Sequence, residues 1–464
     1  MISINFSTLS KVLAAKEINP PQADIEVDSV TTDSRTNCCG SIFFALRGES
    51  FDAHQFLDRV YQQGAKILVV EQPNLAIPLP QLVVTDTKKA LGQLAAWVRT
   101  KVNPKVAAMT GSSGKTTVKE MTAAILQQTA KSADEVLFTA GNFNNDIGVP
   151  LTLLRLTNQH RYAVIELGAN HAGEIAYTTQ LARPDAALVN NVAPAHLAGF
   201  GSIEGVAKAK GEIYQGLTTT GIAIINANCQ YLNYWQRNIG SHQIQQFSIN
   251  SPQADIYAKE IQASAIGYHF ILCTPQGETA IDLPYLGEHN ISNSLAATSL
   301  AMALGASLAD VKAGLALGKR VKGRLFPVVV NSQFTILDDT YNANVDSLKA
   351  AIAVLQQSAQ TVKILAVGDM AELGESTEQC HHQVAEAAQQ ANLSKVVSFG
   401  HYSEIISSLC HGEHYQQKAA LITALQQYIT EQLQAGKTIL LLVKGSRSMK
   451  MEEIVEAFKG FEQC

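Results

Sequence analysis

The chain predicts an α/β protein of three domains, with a phosphate-loop, mononucleotide-binding central domain built on a mostly parallel sheet. Three observations carry this. A glycine-bearing loop, Thr110 to Thr117, follows the apolar run Val106 to Met109 and leads into a helical stretch from Val118 to Gln128. Strand, loop, then helix is the context a phosphate-binding loop requires. From residue 163 onward, apolar runs alternate with helical stretches and end in polar loops, as strands of parallel sheets do. Finally, 464 residues exceed what one core ordinarily organises.

Composition narrows the function. The chain is 46% hydrophobic and 16% charged, with a net charge of −5. It shows no basic stripe of the kind nucleic acid attracts. No apolar run reaches the roughly 18 residues of a membrane span, and Met1 to Asn5 does not read as a signal peptide. Seven cysteines are scattered without a C-x-x-C pair, which fits reduced thiols and a cytoplasmic location.

Residues 1–84 read as a smaller N-terminal α/β domain. Ser41 to Leu46 and Ala65 to Val70 are strand-like, with a helix from Gln55 to Gly64 between them. Two polar clusters, Thr31 to Arg35 (with Ser34 and Arg35) and Arg47 to His54, are either solvated turns or the cradle of a phosphorylated ligand. The proline-broken stretch Pro73 to Pro80 is a loop, and Thr87 to Val102 is a helix leading into the central domain, 85–321.

In the phosphate loop, Gly111 and Gly114 let the backbone of Ser112 and Ser113 curl inward. Lys115 supplies a cation, Thr116 a hydroxyl for a phosphate-bound Mg²⁺, and Thr117 opens the helix. The common spacing would need glycine at Met109, and such a string can also be an ordinary turn before a helix. Strands Ala163 to Leu167 and Ala186 to Asn191 run into polar residues. Because ligands bind at the carboxyl ends of parallel strands, Lys115, Thr116, Glu166 and His196 are expected at one edge, the last two as metal ligands. Gly141 to Gly148 is a polar loop. Ser202 to Gly216 reads as a helix whose Lys208 and Lys210 are ordinarily solvated. Residues 244–285 read as β-hairpins. Asn290 and Asn293 precede a helix from Ser294 to Gly305, where they cap it or meet the edge of a base.

The basic stretch Gly318 to Arg324 marks the second boundary. Residues 322–464 alternate strands and helices again, as a doubly wound, Rossmann-like domain does. Its strands run into Asp338 to Asn344, Gly368 to Gly374 and Lys444 to Ser448. The Cys380-His381-His382 run, with His411 and His414, has no common zinc spacing.

Seven of these segments resemble motifs of the Mur ligases, the ATP-dependent amide ligases of bacterial cell-wall synthesis. They are Thr110 to Thr117, Asn142 to Pro150, Val164 to Glu174, Val189 to Gly201, Asp338 to Asn344, Val367 to Gly374 and Val443 to Ser448. The likeness runs nearly end to end, and the family's shorter loop accounts for Met109. Val345 stands where proline often follows Asn344 in the family, and Ala53 where glycine is frequent.

The resemblance implies a ligase that adds D-alanyl-D-alanine to UDP-N-acetylmuramoyl-tripeptide through an acyl phosphate, using ATP and two Mg²⁺, as a cytoplasmic monomer. It assigns Gly111, Ser112, Ser113, Gly114, Lys115, Thr116 and Thr117 to the phosphates, Asn290 with Asn293 to adenine, and Arg324 and Asp339 to phosphate and ribose. Lys210 matches a lysine carbamylated in the family and would join Glu166, His196 and Thr116 around metal; Lys208 is the alternative. Ser34, Arg35 and Arg47 would hold the UDP-sugar peptide. Asn142, Asn145, Asp146, Tyr341, Asn342, Asn344, Lys444 and Ser446 would meet the substrates, Lys444 and Ser446 on the dipeptide side. Another amide ligase of the superfamily, or an ATPase that makes no bond, is the rival reading.

Overall fold

A computed structural model of the chain describes residues 1–48, 51–194, 196–264 and 266–461. Glu49 and Ser50 of the second polar cluster, and Ala195 of the Val189 to Gly201 motif, lie outside the described residues. The protein is mixed α/β with mostly parallel sheets.

Its largest sheet has nine strands. The order is Gly277–Leu283, Gly267–Thr274, Ile256–Ser264, Gln243–Ser248, Ile222–Asn226, Ala186–Val189, Lys105–Thr110, Tyr162–Glu166 and Val136–Phe138. Pairing is parallel from Ile256–Ser264 through Val136–Phe138 and antiparallel beyond. Lys105–Thr110 lies centrally. The chain builds outward from it on one side, returns beside it with Tyr162–Glu166, and then crosses to Ala186–Val189. That reversal opens a crevice at the carboxyl ends of these three strands. Burial on both faces explains why the strands are apolar throughout. Val106, Ala108, Ile165 and Val189 pack on one face, and Ala107, Met109, Val164 and Leu188 on the other.

The phosphate-loop helix runs Lys115–Ala130. The expected helix Thr87–Val102 is present, N-capped by Asp86, whose side chain accepts from the Lys89 N–H, and ended by Asn103 at φ 50°. Two readings need correction. Gln243–Ser248 is not a hairpin strand but pairs parallel with Ile222–Asn226, through the helix Leu232–Asn238; only the strands from Ile256 to Leu283 form the antiparallel meander. The helix expected from Ser294 begins at His289, so Asn290 and Asn293 lie within it.

Residues 16–83 hold a five-stranded sheet, ordered Lys16–Ile18, Gln81–Val83, Ile67–Val70, Ile42–Phe44 and Val30–Thr31. The helix Phe6–Leu13 packs with Thr87–Val102 in a continuous apolar cluster. A six-stranded sheet covers 326–444 in the order Phe326–Val329, Phe334–Asp339, Ile439–Lys444, Val362–Gly368, Lys395–Phe399 and Glu413–Tyr415. The last strand in sequence, Ile439–Lys444, inserts between earlier ones, which creates a second reversal beside Asp339 and Gly368.

Arg99 fastens the entry helix to the large sheet. It is 3% exposed; Nε donates to Ala182 O at 2.7 Å and Nη2 to Arg183 O at 2.8 Å, carbonyls at the end of the helix Glu174–Ala182. Replacing it by methionine keeps much of the bulk and strands both carbonyls. Arg99→Met should lower unfolding free energy by about 3 kcal/mol, since hydrogen bonds to charged groups contribute roughly 1.5–3 kcal/mol each. A urea titration with an unchanged midpoint would contradict this.

Candidate active site

The loop after Lys105–Thr110 is shaped by its neighbours. Gly114 sits at φ +77°, and a Cβ there would lie 2.6 Å from Asn293 Oδ1 and 2.7 Å from Asn190 Nδ2. The Ser113 N–H donates to Asn191 Oδ1 at 2.9 Å, the Ser112 N–H to Asn191 O at 3.2 Å, and Ser112 Oγ to Ala193 O at 3.0 Å. The turn after the neighbouring strand is therefore a mould for this loop.

One cleft collects Ser112, Ser113, Gly114, Lys115, Glu166, His196 and Lys210 from the large sheet with Arg324, Tyr341, Asn342 and Asn344 from the other side. The expected meeting of Lys115, Thr116, Glu166 and His196 is observed. Glu166 is 3% exposed; its Oε2 accepts from Thr116 Oγ1 at 3.1 Å and its Oε1 from Asn144 Nδ2 at 2.8 Å. Lys115 is half-buried, and its Nζ donates to Gly111 O at 2.6 Å. Desolvation of the head group pulls its pKa below the ordinary lysine value; Glu166 opposes this and Arg324 adds to it.

Lys210 and Lys208 part company here. Lys208 is exposed, whereas Lys210 is 2% exposed in the cleft wall. Burial, reinforced by the like charge of Lys115, holds the Lys210 amine well below its ordinary pKa. His196, at φ 54°, is also lowered by burial. Its Nδ1 is buried, makes no aligned hydrogen bond, and is in ion-pair contact with Glu372 of the C-terminal sheet's loops.

The two sides meet through few polar contacts. Arg324 Nη2 donates to Thr116 Oγ1 at 3.5 Å, and Asn344 Nδ2 to Ser112 O at 3.4 Å. The guanidinium of Arg324 lies 4.4 Å from the Tyr341 ring centroid, a cation–π distance. A second pocket adjoins the cleft at Ser113, Gly114 and Arg324 and is lined by Thr117, Asn190, His289, Asn290, Asn293 and Asp339. Within it Asn293 Nδ2 donates to Asn290 Oδ1 at 2.8 Å, and Asn293 Oδ1 accepts from Asn190 Nδ2 at 3.0 Å.

Lys444 lines this second pocket and is 2% exposed. Its Nζ is held by Asp339 Oδ2 at 2.7 Å and donates to Asn342 O at 2.9 Å. Ser446 Oγ accepts from the Ala371 N–H at 2.8 Å. In the loop before Gly148, Asn142 and Asn145 line the cleft, Asn145 Oδ1 accepting from the Gly148 N–H at 2.8 Å. Asp146 pairs with Lys88 at 2.7 Å.

Among the described residues, none of those lining either pocket comes from the first 84. Arg35 pairs with Asp33, and Arg47 with Asp52 and Glu71; Ser34 is buried and its carbonyl accepts from Gln63. Sequence reasoning missed Asn144, Asn190, Asn191 and Glu372 as site residues. The first three stood inside polar strand-end segments, and which of several adjacent asparagines points inward is settled only by the fold.

A carboxyl-edge crevice at a phosphate-binding loop, faced by a second, mostly parallel sheet, defines a phosphate-loop nucleotide-binding protein. Residues 109–301 match the Mur ligase middle domain, and residues 323–447 the Mur ligase, glutamate ligase domain. The chain is 54% identical over 464 residues to the UDP-N-acetylmuramoyl-tripeptide–D-alanyl-D-alanine ligase of Haemophilus influenzae, with all of both chains covered. It is 53% identical to the enzyme of that name from Escherichia coli K12, again over the full length of both. A crystal structure of MurF from Acinetobacter baumannii superposes with a TM-score of 0.93 at 38% identity, covering 99% of each chain. The chain belongs to the Mur ligase family, in the group of the UDP-N-acetylmuramoyl-tripeptide–D-alanyl-D-alanine ligases.

Alanine at Gly114 adds a Cβ to a left-handed residue wedged between two amides. Non-glycine residues pay about 1–2 kcal/mol there, so Gly114→Ala should weaken ATP binding by about tenfold or more. Calorimetric titration checks this; an unchanged affinity would show that the loop does not need this shape.

Proposed function

We propose that this chain joins the carboxylate of a UDP-N-acetylmuramoyl-tripeptide to the amine of D-alanyl-D-alanine at the expense of ATP. The observation that carries the reading is the charge pattern of the cleft. Lys115 and Arg324 converge there with the buried carboxylate of Glu166 at a glycine loop, and the Lys210 amine stands beside them. A triphosphate is the anion that such a cradle fits. Amide formation from a carboxylate is uphill in water, so the carboxylate first takes the γ-phosphoryl group. One of its oxygens bonds to phosphorus as the bond to ADP breaks.

In this reading Gly111 to Thr117 hold the phosphates through backbone N–H groups and Lys115 follows the charge that spreads over the γ-oxygens. Arg324 approaches from the opposite wall. Asn290 and the edge of the second pocket receive the base, and Asp339, paired with Lys444, faces the ribose. The dipeptide amine then attacks the acyl carbon, and phosphate leaves with one former carboxylate oxygen. The loops around Asn342, Asn344 and Ser446 are assigned to the dipeptide. The N-terminal clusters with Ser34, Arg35 and Arg47 are assigned to the UDP-sugar end, which lies away from the cleft. Domains 1–84, 85–321 and 322–464 divide these roles. Both walls of the cleft come from one chain, which supports action as a monomer, and the consumption of ATP supports a cytoplasmic setting.

The residues present fit Mg²⁺. Among the described residues no cluster of three or more His, Cys, Asp or Glu side chains is placed to hold a metal. A cation beside Thr116 and Glu166 must therefore complete its shell with phosphate and water, as Mg²⁺ commonly does. Thr116, Glu166 and His196 would hold it, and bound Mg²⁺ supplies neutralisation of phosphate charge. Lys210 joins them if its amine captures CO₂, losing a proton and becoming an anionic carbamate. A buried amine kept neutral is the form that reacts.

Phosphate release from ATP and Mg²⁺ should require both UDP-N-acetylmuramoyl-tripeptide and D-alanyl-D-alanine and yield a product heavier by the dipeptide; release indifferent to both would establish the ATPase rival. Lys210→Ala should lower kcat on the order of 100-fold, a size typical for losing one electrostatic group at a reacting centre. Lys208→Ala should stay within about twofold, exposed substitutions being nearly neutral. Wild-type activity should fall in CO₂-depleted buffer and return with bicarbonate, and indifference to CO₂ would remove the carbamate.

A further inference from the structure

The cleft contains one contact that the ligase reading does not use. Glu372 belongs to the loop after Val362–Gly368, on the C-terminal side, yet its carboxylate meets His196 Nδ1 on the central side. Three features show that this meeting is built. Glu372 sits at φ 64° and His196 at φ 54°, in the left-handed region that non-glycine residues seldom occupy and that clusters at functional sites. The Ala198 N–H donates to Glu372 O at 3.4 Å, tying the two backbones together beside the side-chain contact. From behind, the loop is braced: the Ala371 N–H donates to Ser446 Oγ at 2.8 Å, and the Ser446 N–H to Asp369 O at 3.0 Å.

The geometry of the imidazole supplies the consequence. With Nδ1 turned toward Glu372, Nε2 is the ring nitrogen left for the cleft, where Glu166 and Lys210 also stand. A carboxylate on one nitrogen fixes the ring's orientation and tautomer and leaves the other as the lone-pair donor, the arrangement that supports metal-binding histidines.

We infer that Glu372 is a positioning residue for the ligase reaction: delivered from the C-terminal side, it orients His196 so that Nε2 faces the divalent cation and phosphates of the central site. This rests on the ligase reading and deepens it. It makes the metal site complete only when both sides of the cleft are in register, because the ligand and its orienting carboxylate belong to different sheets.

The test compares wild type, Glu372→Ala and Glu372→Gln in the phosphate-release assay and in Mn²⁺ binding with ADP, followed by electron paramagnetic resonance. Loss of such an outer partner ordinarily costs 10–100-fold in metal affinity or activity. Glu372→Ala should therefore lose about 10-fold or more in both Mn²⁺ affinity and kcat, with KM for the UDP-linked substrate within about twofold. Glu372→Gln, whose amide oxygen still accepts from Nδ1–H, should recover to within about threefold of wild type. Wild-type Mn²⁺ affinity in Glu372→Ala would overturn the inference, as would equal losses in both variants, which a merely structural role produces. Should the wild type form no amide product, the ligase reading fails, while the Mn²⁺ comparison still decides the role of Glu372.

Discussion

Uncompensated positive charge inside a protein wall is the constraint on which this structure turns. Lys210 is buried with Lys115 as the charge that acts on it, and Lys115 has Gly111 O as its hydrogen-bond partner. Among the described residues, Glu166 is the one buried carboxylate lining the cleft. Burial draws the pKa of Lys115 down and that of Lys210 well down, because removal from water disfavours an ammonium ion. The same wall is therefore ready to receive phosphate oxygens and, at Lys210, to favour the neutral amine. Glu166 is kept in place by Thr116 and Asn144, so the loop after Phe138 and the phosphate loop are tied to the same carboxylate.

A polar chain links the N-terminal sheet to this centre. Arg47 pairs with Glu71, whose Oε1 accepts from Thr87 N–H and Oγ1 at 3.1 and 3.2 Å. One residue on, Lys88 pairs with Asp146, in the loop whose Asn144 holds Glu166. The cluster read as either a solvated turn or a ligand cradle thus also serves the fold itself, docking the N-terminal sheet on the start of the helix Thr87–Val102.

Much of the fold was legible because parallel strands announce themselves. Each is a short, wholly apolar run that stops at polar residues, and the carboxyl-edge rule then gathers those residues without coordinates. Lys115, Thr116, Glu166 and His196 were found that way. What stayed hidden were choices between neighbours. Lys208 and Lys210 differ by two positions, and on a helix that turns one out to solvent and the other into the wall. Asn144 reaches Glu166 while Asn145 accepts from the Gly148 N–H, a distinction set by loop geometry. The parallel pairing of Gln243–Ser248 was missed because its crossover helix, Leu232–Asn238, is short and polar. Glu372 stood inside the strand-end segment Gly368 to Gly374, but nothing there singled it out; its role depends on a surface 176 positions earlier in the chain, the separation of Glu372 from His196.

The central claim is that this charged cleft exists to turn a carboxylate into an acyl phosphate before the amine arrives. The most direct measurement labels both oxygens of the peptide's reacting carboxylate with ¹⁸O and analyses the phosphate released during ligation by mass spectrometry. The account predicts one ¹⁸O in each phosphate, carried from the carboxylate through the acyl phosphate. Phosphate free of label, formed alongside ligated product, would mean that water or another nucleophile takes the phosphoryl group, and the account would be wrong at its centre.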